Sequence, residues 1–169
     1  MGSWFSHRLA IDTGGSFRCH DITPELQAFV QRCGVRHGLL VAAGQHTTTA
    51  LVVNEAEERL LADIERFFLE LAPDDRPWLH NDLHLRPDIP PDEPRNAHSH
   101  LIALMLGNHL SLPVLDGRLG LGRYQSVVLV ELDGPRRREV LLQLSGETGL
   151  TGDRACAAEA SPQPTGASG

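Results

Sequence analysis

Residues 38–71 read GLLVAAGQHTTTALVVNEAEERLLADIERFFLEL, and the change of period inside this stretch points to an α+β fold. Gly38 to Gly44 is an apolar run of strand length, and Thr49 to Val53 is a second, rich in β-branched residues. The polar cluster Gln45-His46-Thr47-Thr48 separates them. From Asn54 onward the period becomes helical: Leu60, Leu61, Ile64, Phe67, Phe68 and Leu71 fall on one side of a helix running to about Leu71. Asn54 is suited to cap it, and Glu57, three residues on, completes a capping-box arrangement.

Outward on the N-terminal side, Trp4 to Ile11 and Phe17 to Ile22 read as strands flanking a Gly14-Gly15 turn. Thr23-Pro24 then opens a helix, Thr as N-cap and Pro in the first helical position, with Leu26, Phe29, Val30 and Cys33 on one face and Gly34 ending it. On the C-terminal side, residues 72–95 hold six prolines and no hydrophobic period, which predicts a loop. Loops of such length within one domain are usually functional or disordered. Ser99 to Leu106 is apolar on nearly every side and predicts a buried helix stopped by Gly107. Turn residues at Asp116-Gly117 and Asp133-Gly134-Pro135 separate strands near 111–115, 118–121, 124–132 and 137–144. From Ser145 onward the composition turns to Gly, Ala, Ser, Thr and Pro, which cannot bury enough surface to order itself. The expected architecture is one α+β domain over residues 3–146, a mostly antiparallel, barrel-like sheet with two or three helices, followed by a disordered tail over 147–169.

The chain has 169 residues, the usual span of a single core, and 15 basic against 22 acidic side chains give a charge of −7. That balance argues against a non-specific nucleic-acid binder, which needs clustered positive charge. All 15 basic residues are Arg, so Schiff-base and Walker-type lysine chemistry are excluded. Three cysteines, Cys19, Cys33 and Cys156, are too few and too uneven for a disulfide framework or a thiolate zinc site. No apolar run approaches the roughly 20 residues that cross a bilayer, and the N-terminus carries no signal-like apolar region. A soluble, cytoplasmic protein is expected. Nine histidines, four of them between His80 and His100, direct attention to a metal or proton-transfer site.

His46 lies in a polar cluster between two apolar strands, where unsatisfied groups cost stability. It is either part of a functional site or in a turn whose hydroxyls bond nearby backbone. His80 and His84 have the i, i+4 spacing of a helical metal pair, but the surrounding prolines argue against a helix. His80 with Asp82 is the better pair, since residues two apart on extended chain point the same way, while His84 reads as a solvated loop histidine. His98 and His100 stand at a helix entrance, with His100 expected to point inward. Three histidines from separate elements can hold zinc or a similar divalent ion and leave a coordination position open. Arg123 and Arg136, Arg137 and Arg138 are candidate phosphate binders, Arg136 and Arg138 sharing one side of a strand. Glu55, Asp63 and Glu131 are candidate acids, Asp63 equally an ordinary residue on the helix surface.

Taken together, Gln45-His46-Thr47-Thr48 with Asn54-Glu55, His80-Asn81-Asp82 and His98-Ser99-His100-Leu101 resemble the YjbQ (UPF0047) family. So do Pro113-Val114 with Asp116-Gly117-Arg118-Leu119, Gly122 with Gln125, and Glu131 with Asp133-Gly134-Pro135-Arg136. The resemblance covers the chain to about Gly146. It implies a compact α+β fold assembled as a homotrimer, with a divalent metal ion, zinc foremost, held by His46, His80 and His100. It implies acidic functional positions at Glu55, Asp63, Asp82 and Glu131, and it carries the label of secondary thiamine-phosphate synthase. That reaction joins a pyrimidine diphosphate to a thiazole phosphate and releases pyrophosphate. Glu55, Asp82, Arg123 and Glu131 are then the expected catalytic residues, and Thr47, Thr48, Gln125 and Arg136 the substrate-binding ones. The chain departs from the family's usual Gly-Thr-Trp-Gln by reading Gly122-Arg123-Tyr124-Gln125, which bears on substrate preference. The partner expected is a small phosphorylated metabolite, with no nucleic acid and no membrane. The same residues suit a metal-assisted hydrolase with Glu55 or Asp82 as base, or a non-enzymatic trimer with a structural metal.

Overall fold

A computed structural model describes residues 3–149. The chain runs β1 (Ser3–Asp12), β2 (Arg18–Asp21), α1 (Thr23–Cys33), β3 (Val35–Gly44), β4 (Thr49–Asn54), α2 (Glu58–Leu71), α3 (Ala97–Leu106), β5 (His109–Leu115), β6 (Arg118–Leu119), β7 (Ser126–Glu131) and β8 (Arg137–Thr148). Two short 3-10 turns, Leu79–Asn81 and Leu83–Leu85, punctuate the loop before α3. The strands form two antiparallel sheets, ordered β1-β8-β3-β5-β6 and β2-β7-β4. This is the α+β class expected.

Strand β7 explains how the layers meet. Its sequence, Ser126-Val-Val-Leu-Val-Glu131, shows no polar alternation because both of its faces are covered. Val127 and Leu129 join the large core under α1, with Leu26, Phe29 and Val30 from the helix and Leu40, Leu142 and Leu144 from the large sheet. Val128 and Val130 point the other way, into a smaller core with Ile102 and Ala103 of α3, Phe17 and Ala50. The small sheet is thus a middle layer, and α3 is pinned to its outer side.

Several local details differ from the sequence expectation. Thr23 does not cap α1; its hydroxyl accepts the Val127 N–H at 2.8 Å and ties the helix to β7. Gly34 ends α1 at φ 67°, a left-handed position that glycine adopts without strain. Helix α2 is capped by Glu57, whose carboxylate accepts from the N–H groups of Arg59 and Leu60, while Asn54 accepts only from Glu55. Helix α3 is not buried all round: Leu104 is 81% and Met105 57% exposed. An apolar sequence on every side therefore did not mean an apolar environment on every side. Strand β8 continues through Thr148, past the expected domain end at 146, because β3 pairs with it as far as Val35–Thr148, whereas its pairing with β1 ends at Gly146. Beyond Gly149 the expected tail lies outside the described residues.

Candidate functional site

Strands β4 and β7 pair Thr49 with Glu131 at one end, which brings the β3–β4 connection Gln45–Thr48 against the β7–β8 turn. That turn needs glycine at 134, since a Cβ there would collide with the Gly15 carbonyl oxygen. The N-terminus of α3 closes the third side, its Ser99 hydroxyl donating to the Leu132 carbonyl at 2.6 Å. A cleft of about 370 Å³ opens between these segments and is lined by Gln45, His46, Thr47, Thr48, Glu93, Pro94, Asn96, His100, Asp133, Arg136 and Arg138.

The floor is a buried ion pair. Arg138 donates from Nε to Glu131 Oε2 at 2.6 Å and from Nη2 to Glu131 Oε1 and to the Thr48 hydroxyl. Glu131 is saturated: Thr13 donates to Oε2 at 2.8 Å and the Asp133 N–H to Oε1 at 2.7 Å. Burial opposes its charge, but these hydrogen bonds, led by Arg138, outweigh it and hold the carboxyl below its ordinary value. Glu131 is therefore an anchor for the guanidinium, with no oxygen spare for proton transfer. Arg138 has five N–H donors, and its Nη1 pair makes no hydrogen bond among the described residues.

His46 is held by backbone on its other side. The Glu139 N–H donates to His46 Nε2 at 2.9 Å, and the Gln45 N–H donates to the Glu139 carbonyl at 3.0 Å. Burial, followed by the charge of Arg138, pushes the His46 pKa below 6.5, so the ring is neutral at neutral pH. A neutral imidazole that accepts at Nε2 carries its proton on Nδ1. In this arrangement His46 presents an N–H donor rather than a free lone pair, whereas its expected role is that of a metal ligand. Arg136 donates from Nε to the Asp133 carbonyl and from Nη2 to Asp133 Oδ2, at 2.9 and 3.0 Å, leaving three of its five donors uncommitted.

His100 and His80 meet edge to face, with ring centroids 4.9 Å apart. Burial, and after it the neighbouring His80, pushes the His100 pKa down. His80 Nε2 is buried without a hydrogen-bond partner among the described residues. An orphaned imidazole nitrogen beside a second imidazole fits a divalent cation, so His80 and His100 suit two of its ligands. Among the described residues no three His, Cys, Asp or Glu side chains are grouped to hold an ion.

Several other expected residues are not at the cleft. Strands β4 and β7 pair Asn54 with Ser126 at their far end, five residues from the Thr49–Glu131 pair and so about 17 Å away. Glu55 and Gln125 flank that far pair, and Gln125 is engaged in its own turn, accepting from the Gly122 N–H at 2.7 Å. Arg123 is exposed beside the Tyr124 ring, 5.2 Å from its centroid. Asp82 joins the two 3-10 turns outside the cleft lining, and Asp63 is exposed and paired with Arg66. Thr47, Thr48 and Arg136 do line the cleft. Asn96 has no role in the sequence reading, whereas Arg138 stands there among the candidate phosphate binders, on one strand side with Arg136. An apolar cavity of about 180 Å³ beneath α2 includes Cys19, whose thiol is pushed up to about 11 by burial and then by Glu65, and so is no nucleophile at neutral pH.

The family model described as "UPF0047 protein YjbQ-like" matches residues 7–147. A UPF0047 protein of Methanothermobacter thermautotrophicus is 34% identical over 143 residues, 85% of this chain and 93% of the relative. The UPF0047 protein YjbQ of Escherichia coli O157:H7 is 34% identical over 148 residues, 85% of this chain and 99% of the relative. Among solved structures, a YbjQ-like protein of unknown function from Sulfolobus solfataricus P2 superposes with a TM-score of 0.78 at 34% identity, covering 87% of this chain and 100% of that one. A hypothetical protein from Aeropyrum pernix K1 gives 0.75 at 38% identity, covering 84% and 98%. The chain belongs to the YjbQ-like UPF0047 family.

Proposed function

We propose that the cleft binds the phosphate groups of a small metabolite and that the protein acts as a transferase of the thiamine-phosphate-synthase type. One observation carries the phosphate reading: donors that the fold leaves uncommitted line the same cleft. They are His46 Nδ1–H, Arg138 Nη1 and the free N–H groups of Arg136, with the Thr47 hydroxyl beside them. Hydrogen bonds from charged donors to phosphate are short and strong, and a guanidinium matches phosphate geometry.

In the reaction, a departing pyrophosphate needs fixed donors where its charge develops. Arg138, immobilised by Glu131 and Thr48, supplies them without reorganising. Neutral His46 adds a donor that cannot surrender its lone pair, since Glu139 occupies it. Arg136, more exposed, binds at the rim. His80 and His100 are the residues proposed to hold a divalent ion, zinc foremost, which when bound would supply Lewis-acid stabilisation of phosphate oxygens. A cytoplasmic location and a homotrimeric assembly belong to the same proposal; no helix among the described residues is long and apolar enough to cross a membrane. The hydrolase alternative loses support because its expected bases, Glu55 and Asp82, lie outside the cleft.

The test is to incubate the protein with the pyrimidine diphosphate and the thiazole phosphate, singly and together. Pyrophosphate and thiamine phosphate formed only with both present is the expected result. Inorganic phosphate released from either substrate alone would favour hydrolysis, and sedimentation of the same sample reads the assembly state.

A further inference from the structure

We infer that Asn96 is a specificity-determining residue of this cleft, its side-chain carbonyl accepting a hydrogen bond from a neutral N–H or O–H group that the metabolite carries beside its phosphate. The inference rests on the phosphate reading above. An Asn immediately before a helix usually caps it, its side-chain oxygen taking a first-turn N–H. Asn96 precedes α3 and makes no such bond. The Ala97 N–H is taken instead by Asn81 Oδ1 at 3.1 Å, so Asn96 is released from that role.

Its amide orientation is set by chemistry. Asn96 Nδ2 donates to Asp133 Oδ2 at 2.8 Å, and a carboxylate only accepts, so the other end of the amide is the carbonyl oxygen. That oxygen is buried and has no hydrogen-bond partner among the described residues, while Asn96, only 6% exposed, lines the cleft with His100, Asp133 and Arg136. A buried acceptor left unpaired is unfavourable, and binding sites built around one reject ligands that cannot satisfy it. The same Asp133 oxygen also takes Arg136 at 3.0 Å, so that carboxylate is already matched by a guanidinium and a full cation gains nothing from it. A ligand carbonyl would meet the Asn96 lone pairs and be repelled. What remains is a neutral donor, an amino N–H or a hydroxyl O–H. The cleft then reads two parts of one molecule: its donors take the phosphate and Asn96 takes the neutral donor.

Calorimetric titration with inorganic phosphate, benzyl phosphate and the ortho-, meta- and para-amino and -hydroxy derivatives of benzyl phosphate tests this. At least one substituted isomer is expected to bind about three- to tenfold more tightly than benzyl phosphate, the span of one neutral hydrogen bond, and the series in which it does so tells N–H from O–H. Asn96→Leu and the smaller Asn96→Ser, each checked for folding by thermal melting, are expected to abolish that preference. The inference is overturned if every substituted isomer binds like benzyl phosphate, or if the preference survives in a folded variant. Failure of the unmodified protein to bind inorganic phosphate would defeat the phosphate reading itself, and this inference with it.

Discussion

Arg138 Nε lies 2.6 Å from Glu131 Oε2, and the two residues are 4% and 0% exposed. Two charges buried so completely are tolerable only as a pair, because the loss of either leaves the other without solvent or partner. The pair spans the β7–β8 turn, so the same contact shapes the fold and presents the remaining Arg138 donors to the cleft.

Glu131→Ala is therefore expected to destabilise the protein by about 3–5 kcal/mol in urea unfolding. The double variant Glu131→Leu with Arg138→Met should regain most of that loss, since apolar residues of similar volume often replace a buried pair without penalty. It should also lose phosphate binding in calorimetry. A double variant that still binds phosphate would remove Arg138 from the site.

Arg136 offers the opposite combination. Its side chain is 45% exposed and its partner Asp133 lies three residues away, so Arg136→Ala is expected to change stability by less than about 1 kcal/mol. Phosphate affinity should nevertheless fall roughly tenfold, the worth of one charge-assisted hydrogen bond. Unchanged affinity would place the phosphate elsewhere.

Metal content separates the three histidines. After zinc reconstitution and elemental analysis, His80→Ala and His100→Ala are expected to lose bound metal, whereas His46→Ala retains it. His46→Ala should weaken phosphate binding instead, because it removes an Nδ1–H donor. Loss of metal from His46→Ala as well would show that its ring leaves the Glu139 N–H to become a ligand.

Stability should fall as the solution is acidified, in two windows. His46 and His100 both titrate lower in the folded chain than their ordinary 6.5, so below that pH the unfolded chain takes up more protons. Their contribution is intact above about pH 6.5 and declines as pH drops below it. Glu131 is depressed from its ordinary 4.5, so its contribution is present above that value and is lost as pH falls through the lower folded one. Thermal midpoints measured from pH 8 downward check both, and His46→Gln with His100→Gln should flatten the upper window only.

Much of this arrangement was legible along the chain. Leu26, Phe29, Val30 and Cys33 followed a helical period and are the buried face of α1, because local periodicity and burial are set by the same geometry. The run Val127 to Val130 falls in the strand expected near 124–132, while the covering of both its faces came from the structure. The family motifs named the cleft residues Thr47, Thr48, Glu131 and Arg136. What the sequence by itself determined was thus the strands and helices, their inward faces and the family.

Which residues share a site was decided only by tertiary structure. Thr48 and Arg138 lie 90 residues apart yet meet at 3.0 Å, while Glu55 and Gln125 belong to the matching motifs but stand at the other end of the β4–β7 pair. Register sets such meetings, and register is a relation between strands that no single segment contains. The chemistry of His46 was hidden for the same reason: whether an imidazole offers a lone pair or a proton depends on its partner, here the backbone N–H of Glu139, 93 residues away.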